Sequence, residues 1–503
     1  MQVALADPQQ VLESVYGYST FRPGQREIID AVLGGRDCIG VMPTGAGKSL
    51  TFQVPAKLLP GTVLVLSPLI SLMKDQVDAL DRLGFRAAVL NSTLDGSERT
   101  QRLRELRHGL IELLYVAPEA LGSSLRGVLS NCPLSLIVVD EAHCISHWGH
   151  DFRPAYRQLK NLKAQFGDIP VLALTATATR RVAYDIIREL GMRKPAGYKG
   201  SFFRPNLRLI AHKKGTGRDM RRDILGIVKA HPGESGIIYC GSRRAVDGLA
   251  GWLTSRGVRA LPYHAGMDDR DRAQNQDAFA RDQAEVIVAT VAFGMGIDKS
   301  NVRYVIHRDM PRSIEAWYQE IGRAGRDSLL SDIVTFYSWA DVIAYEAFLK
   351  DIADQELRVE TQNRTKDLFR LLDRRGCRHQ ALVRHFDEQI APCRTACDEC
   401  LGIGIDALLP AGPARAPSMI TPSWQSDNPD VFEQLRTLRR ELADADGVPA
   451  YVVFSDATLR EMARRVPKTL VELRTVSGVG PMKLQLYGER FLEVLLAARS
   501  AGG

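Results

Sequence analysis

DCIGVMPTGAGKS, residues 37–49, decides how the surrounding chain is read. The apolar run from Cys38 to Met42 predicts a buried parallel strand, which breaks into a loop carrying Gly45 and Gly47; Lys48 and Ser49 then open a segment with helical spacing. Strand, glycine-rich loop and helix start form a phosphate cradle, because backbone N–H groups and the positive end of the helix dipole both face the anion. Thr44, Gly45, Ala46 and Gly47 line that cradle, Lys48 reaches the β- and γ-phosphates, and the Ser49 hydroxyl holds Mg²⁺. Met42 stands where the strict G-x-x-x-x-G-K-[ST] pattern has its first glycine, so this loop alone is also compatible with a plain turn. The segment LSLIVVDEAH (134–143) decides between them: a buried strand ends in two adjacent carboxylates. Asp140 is placed to hold Mg²⁺ through water and Glu141 to orient or deprotonate the attacking water. The two halves together predict nucleoside triphosphate hydrolysis.

Composition sets the frame. A chain of 503 residues holds about three to four domains, and with 45% hydrophobic and 25% charged residues it is expected to bury a sizeable core. A net charge of +7 leans weakly towards a polyanionic partner. MQVALADPQQ lacks the basic-then-apolar order of a signal peptide, and no run reaches the ~18 apolar residues of a membrane span. The expectation is a soluble, cytoplasmic protein with no membrane partner. Cys38, Cys132, Cys144 and Cys240 are scattered through apolar segments, whereas Cys377, Cys393, Cys397 and Cys400 cluster. In a large cytosolic chain such a cluster points to metal rather than to disulfides.

Around FRPGQ, residues 11–33 read as two helices. Apolar runs then alternate with charged, helix-length segments at 62–68, 113–118, 136–141 and 171–177, and a second series runs through 236–242, 259–266, 285–298, 304–311 and 332–338. This alternation predicts two parallel sheets covered by helices. Ligands bind beyond the carboxyl ends of such strands, where the loops at Ser49, Asp140 and Thr175 begin. The second series has no GKS and no carboxylate pair. It carries QEIGRAGRD (319–327), read as a helical segment with Arg323 and Arg326 on one face. These two arginines are either a surface ion-pair helix or a supply of positive charge to the γ-phosphate, which is worth about 10³–10⁵ in rate.

GAGKS, DEAH, LALTATAT, ATVAFGMGID and QEIGRAGRD, in this order, resemble a superfamily-2 helicase. FRPGQREII before the phosphate loop and SHWGHDFRP after DEAH narrow the resemblance to the RecQ family of DNA helicases, over about residues 10–400. The resemblance implies two RecA-like lobes with ATP between them and single-stranded DNA across their tops. It implies that Gln25 reads adenine with Arg22 packed on it, that His143 links the ATP site to the DNA side, and that Gln319 belongs to the nucleotide site. It makes Arg326 the arginine finger and Arg323 its neighbour in phosphate contact, with Gly294 and Asp298 in the segment that couples the second lobe to nucleotide. SHWGHDFRPAY (146–156) becomes an aromatic-rich loop in which Trp148 and Phe152 stack on DNA bases and Arg153 contacts DNA; without the resemblance, Trp148, Phe152 and Tyr156 would read as buried aromatics of a core loop. Base–aromatic stacking of ~1–3 kcal/mol is enough to offset the ~1.4 kcal/mol of one opened base-pair step. His147 replaces the family's usual glutamine.

Residues 341–392 turn helical and charged, and Cys377 with C-x₃-C-x₂-C at 393–400 suits tetrahedral structural Zn²⁺. This spacing resembles the RecQ zinc module with its middle interval one residue longer. Residues 404–424 are rich in Pro, Ala and Gly and read as a linker. Many RecQ members carry a winged-helix domain there, for which this chain has no room. Residues 425–503 resemble an HRDC domain, a small helical bundle that often binds single-stranded DNA. With 11 acidic and 11 basic side chains between 427 and 499, the bundle is neutral and the whole excess charge lies ahead of it.

The expectation is therefore an α/β chain with RecA-like lobes at 1–205 and 206–340, a helical zinc-binding module at 341–403, a linker and an all-α HRDC-like bundle. It acts as an ATP- and Mg²⁺-dependent 3′→5′ DNA translocase on single-stranded and forked or junction DNA, in repair and recombination, nucleoid-associated in a bacterium. Two alternatives stand beside it: a DNA-stimulated ATPase that remodels or anneals with little unwinding, and an RNA helicase of the same superfamily.

Overall fold

The computed structural model describes residues 7–68, 70–91, 94–146, 153–293, 299–349, 355–410 and 428–500. The chain forms two compact units, Met1–Phe202 with Ser477–Leu486, and Phe203–Val476 with Tyr487–Gly503.

The first unit is built on a seven-stranded sheet in the order β3-β4-β2-β5-β6-β1-β7, every neighbouring pair parallel. Its strands are β1 (Cys38–Val41), β2 (Thr62–Leu66), β3 (Ala87–Leu90), β4 (Leu113–Val116), β5 (Leu134–Val139), β6 (Val171–Thr175) and β7 (Ala196–Lys199). The apolar runs of β1, β2, β4, β5 and β6 carry the core, with Val63, Val65, Leu113, Val138 and Leu172 all buried. Beneath β1, the buried Asp37 accepts from Lys163 Nζ at 2.7 Å, Val171 N at 2.9 Å and Arg193 N at 2.6 Å. One carboxylate thus ties the starts of β1 and β6 to the segment that leads into β7. The edge strands β3 and β7 escape the sequence reading, β3 as a short run half made of alanine and β7 because it alternates only half-buried and exposed positions.

The second unit holds a six-stranded parallel sheet in the order β10-β11-β9-β12-β13-β8. Its strands are β8 (Leu207–Lys213), β9 (Ser235–Tyr239), β10 (Ala260–Tyr263), β11 (Val286–Ala289), β12 (Val302–His307) and β13 (Ser331–Tyr337). The edge strand β8 is capped by the cysteine-bearing segment: Leu209 N donates to Ala396 O at 3.0 Å and Ala211 N to the Asp398 carboxylate at 2.9 Å. His379 bonds both Leu207 O and Ala396 O from the other side. Otherwise open edge groups are satisfied in this way.

The helices Trp339–Phe348, Gln355–Asp373 and Arg378–His385 follow as the charged pattern predicts. Residues 404–410, read as the start of a linker, instead pack on the second sheet: Ile405 and Leu408 are buried in its core, and Asp406 pairs with Arg218 at 2.7 Å. Their apolar side chains outweigh the flanking glycines. The rest of the linker reading lies outside the described residues. The C-terminal helices are Pro429–Ala445, Ala450–Val453, Asp456–Arg465, Leu470–Arg474 and Pro481–Ser500. The segment 451–465 breaks in two at Phe454–Ser455, where the Ser455 hydroxyl accepts from Thr458 N and caps the second piece.

Candidate active site

β1 ends at Val41, and the loop that follows holds Gly45 at φ +85° and Gly47 at φ +78° before the helix Leu50–Leu58 begins. Both conformations favour glycine. At Gly47 a Cβ would also lie 2.5 Å from Gln25 Nε2. That contact reflects how the loop is held, for Gln25 Nε2 donates to Gly47 O at 2.9 Å and Ala46 O at 3.3 Å. The Gln25 carbonyl oxygen accepts from Arg22 N at 2.8 Å, and the Arg22 guanidinium donates to Gly45 O. Arg22 and Gln25 therefore brace the cradle itself. Lys48 Nζ donates to Met42 O at 3.3 Å, so the residue in the position of the missing glycine contributes its carbonyl.

β5 delivers the carboxylates. Glu141 follows at φ +47°, a left-handed conformation that costs a non-glycine residue about 1–3 kcal/mol and clusters at functional sites. Its N–H donates to Asp140 Oδ1 at 2.9 Å, and its Oε2 lies 3.3 Å from His143 Nδ1. His143 is 2% exposed, and Nδ1 is also 2.9 Å from Thr175 Oγ1 at the end of β6. Burial, reinforced by the charge of Glu141, pushes the Asp140 carboxyl up to about 6, with Lys48 pulling the other way. Burial works against a charged His143 ring, but Cys144 and Glu141 outweigh it and raise its pKa. The Asp140 carboxylate and the Ser49 hydroxyl offer oxygen donors of the hard kind that suits Mg²⁺.

Tyr156 is fully buried and donates to Asp140 O at 2.8 Å, so it supports the end of β5 from the core. Arg153 is half-buried, its N–H on Cys144 O at 3.1 Å and its guanidinium 3.4 Å from Pro68 O. Trp148 and Phe152, with His147, lie outside the described residues, as do Gly294 and Asp298.

In the second unit the helix Ile314–Ile321 carries Gln319 at a half-buried position and stops there. Arg323 and Arg326 lie in a turn beyond its end, not on one helical face as their spacing suggested. Gly322 closes the helix, and Gly325 adopts φ +56°, where a Cβ would sit 2.8 Å from Leu329 O. Two residues that the sequence reading missed hold this turn. Arg204 Nη2 donates to Ala324 O at 3.0 Å and Gly325 O at 2.7 Å, and Asn206 Nδ2 to Gly325 O at 2.9 Å. Their signal was a polar R-P-N run just before an apolar strand. Arg323 is 9% exposed and faces Tyr239. Beneath the turn, His307 bridges Glu320 at 3.0 Å and Thr335 at 3.3 Å, and Trp317 Nε1 donates to the same threonine.

Cys377, Cys393, Cys397 and Cys400 bring their sulfurs within 4.8 Å of one another, with Cys393 and Cys397 3.5 Å apart. Tetrahedral Zn²⁺ with ~2.3 Å bonds needs sulfurs roughly 3.8 Å apart, so the cluster fits. Backbone N–H groups of Cys393 and Gln380 donate to Cys377 Sγ at 3.2 and 3.4 Å, which favours the thiolate that a metal requires. Cys377 caps the helix Arg378–His385 rather than lying within it.

Four family models match in chain order: DEAD/DEAH box helicase over residues 22–186, helicase conserved C-terminal domain over 219–328, RecQ zinc-binding over 339–401, and HRDC domain over 428–495. The chain is 37% identical to the ATP-dependent DNA helicase RecQ of Pasteurella multocida, over 96% of this chain and 93% of that protein. It is 33% identical to the RecQ of Bacillus subtilis, over 97% and 98%. Among solved structures, Mycobacterium smegmatis helicase Lhr bound to ssDNA and AMP-PNP shares the fold at a TM-score of 0.53 and 19% identity, over 78% of this chain and 55% of that one. No helix among the described residues is long and apolar enough to cross a membrane.

Proposed function

The chain belongs to the RecQ family of ATP-dependent DNA helicases, and from that premise we propose that it translocates 3′→5′ along single-stranded DNA and opens forked or junction duplexes in repair and recombination. The observation that carries this reading is a likeness that runs through nearly the whole chain at 37% identity. Zinc suits the four-cysteine cluster as a structural ion.

ATP with Mg²⁺ supplies the phosphoryl group and the cation that offsets its charge. In this reading the loop amides of Thr44 to Gly47 hold the phosphates, and Lys48 orients them. Ser49 and Asp140 hold the cation. Glu141 takes a proton from the attacking water, and its strained backbone and the His143–Thr175 pair keep its carboxylate aimed. Arg326, with Arg323, brings positive charge to the γ-phosphate. Gln25 and Arg22 read the adenine, a role that requires their hydrogen bonds to the loop to exchange for bonds to the base. Gln319 completes the nucleotide contacts, while Trp148, Phe152 and Arg153 meet the DNA.

One observation favours a second reading, remodelling or annealing with little unwinding. The alignment with the Pasteurella relative spans 591 positions, so a chain of 503 residues leaves at least 88 of that relative's residues without a counterpart. Strand displacement on DNA duplexes with 3′ or 5′ overhangs, and on RNA equivalents, separates these readings. ATP-dependent opening of the 3′-tailed DNA alone is expected; binding and ATPase activity without displacement would leave only remodelling, and a preference for RNA would overturn both.

A further inference from the structure

In the second unit, the polar contacts between the C-terminal bundle and the sheet, among the described residues, lie where strands begin. Gly233 and Glu234 precede β9, Arg281 and Asp282 precede β11, Lys299 and Arg303 flank the start of β12, and Asp327 precedes β13. This is the amino-terminal edge, opposite the carboxyl ends beyond which ligands of such sheets bind.

The contacts are polar. The Arg436 guanidinium donates to Gly233 O, Arg281 Nη2 donates to Gly447 O at 3.3 Å, and Arg303 Nη2 lies 3.8 Å from the Asp456 carboxylate. Asp456 is in turn 2.8 Å from Arg439, while Arg303 pairs with Asp327 and Lys299 with Asp282. Asp282, Lys299, Arg303, Arg439 and Asp456 are each no more than 6% exposed. Burial alone would raise the Asp282 carboxyl, yet Lys299, and then Arg439 and Arg436 from the bundle, hold it well below the usual carboxylate range. Burial raises the Glu234 carboxyl, against the pull of His231, Arg303 and, from the bundle, Arg460.

Two features distinguish this face from a permanent one. Buried ion networks are often no more stable than apolar packing of the same volume, and obligate interfaces are correspondingly hydrophobic. A face built from charge stays soluble when it separates. The arginines are also under-used where they lie: Arg439 Nε and Nη2 and Arg436 Nε are buried and make no hydrogen bond within the protein. Carboxylate and carbonyl oxygens occupy their other donors, the same acceptor chemistry that a phosphodiester strand presents. The bundle as a whole is neutral, so its cationic capacity depends on faces such as this one.

We propose that the C-terminal bundle is a releasable latch on the amino-terminal edge of the second sheet, and that single-stranded DNA competes for the arginine face, Arg436, Arg439 and Arg460, which the latch covers. The proposal rests on the DNA-helicase reading, and docking and DNA binding by this face exclude one another.

Hydrogen–deuterium exchange on the full chain, with and without an oligo(dT) strand, tests it. DNA should speed exchange at 232–235, 281–286 and 299–304 by about tenfold or more while 432–460 stays protected. Segments at the carboxyl edge, 242–244 and 264–267, report DNA binding by the core independently. Protection there with an unchanged amino-terminal edge at saturating DNA would overturn the latch alone; no response anywhere would remove the DNA-helicase reading and the latch with it. In the double variant Arg436→Glu with Arg460→Glu, the amino-terminal edge should exchange fast without DNA and respond no further to it, with retained protection of Pro481–Ser500 showing that the bundle still folds. An amino-terminal edge that still opens on adding DNA to this variant would also overturn the proposal.

Discussion

Glu141 Oε2 lies 3.3 Å from His143 Nδ1, and that same ring nitrogen reaches Thr175 Oγ1 at 2.9 Å. The carboxylate proposed to activate water is therefore linked to the neighbouring strand end by a single imidazole. Because Glu141 already sits in a strained left-handed conformation, its aim depends on that support.

Glu141→Gln should lower DNA-stimulated ATP hydrolysis by about 10²–10⁴, the usual share of a general base, with nucleotide affinity little changed. His143→Ala should lose most of the DNA stimulation while keeping basal hydrolysis, since its ring orients and does not take the proton. Turnover with and without a DNA strand, beside nucleotide binding by fluorescence, separates the two. A His143→Ala protein stimulated as strongly as the parent would show that the ring has no coupling role.

Lys48→Ala should abolish DNA-stimulated hydrolysis, because the ammonium is the phosphate loop's only side-chain charge and its Met42 contact orients it. Near-normal turnover in that variant would refute the assignment of the loop.

Asp140 gives a pH dependence with a definite sign. Its carboxyl is raised to about 6, chiefly by burial, and only the ionised form holds a cation. Falling pH therefore removes the Mg²⁺ ligand, and rising pH restores it. Between pH 7.5 and 5.5 the ionised fraction drops about fourfold for a pKa near 6, so the Mg²⁺ concentration giving half-maximal ATPase should rise about fourfold. A half-saturation point that is flat across this range would mean that Asp140 does not meet the cation.

How much of this was legible in the sequence follows from where the determinants lie. The glycine-rich loop, the carboxylate pair and C-x₃-C-x₂-C are each short runs of fixed spacing, and the strands that lead into the first two and the sulfur cluster form as their patterns indicate. The arginine turn misled, because R-A-G-R has helical spacing but Gly322 ends the helix ahead of it and Gly325, at a positive φ, turns the chain between the two arginines. What holds that turn comes from Arg204 and Asn206, about 120 positions away, and what pins β1 is the pairing of Asp37 with Lys163 over 126 positions. Such pairings leave no local periodicity. β8 went unread because the buried Arg208 interrupts its apolar run and its second half is partly exposed, while its edge is completed by Ala396 to Asp398.

The arginine turn can be tested without touching either arginine. Gly325→Ala forces a Cβ to 2.8 Å from Leu329 O at a positive φ, a strain of about 1–3 kcal/mol. Arg204→Ala removes two hydrogen bonds to the same turn. Both should lower kcat for ATP at least tenfold and leave ATP binding nearly intact, as expected if Arg323 and Arg326 serve the transition state. Equal loss of binding and turnover would instead assign the turn a structural role.

The cysteines that suit zinc also meet the second sheet. Cys397 bridges to Leu209, and its neighbours Ala396 and Asp398 accept from Leu209 N and Ala211 N, so the metal cluster and the edge strand β8 share one set of hydrogen bonds. Structural zinc in small modules contributes about 10–16 kcal/mol of binding free energy, more than 355–401 can replace by packing. Stripping the metal should therefore release the helices Gln355–Asp373 and Arg378–His385, and it should also speed amide exchange along β8. β1, β5 and the phosphate loop have no part in those bonds and should keep their protection, so nucleotide binding should survive at least in part. Metal analysis of the purified chain should find one zinc per chain. Exchange that stays slow along β8 after chelation would show that the strand holds without the cluster, and protein purified without zinc would remove the metal assignment altogether.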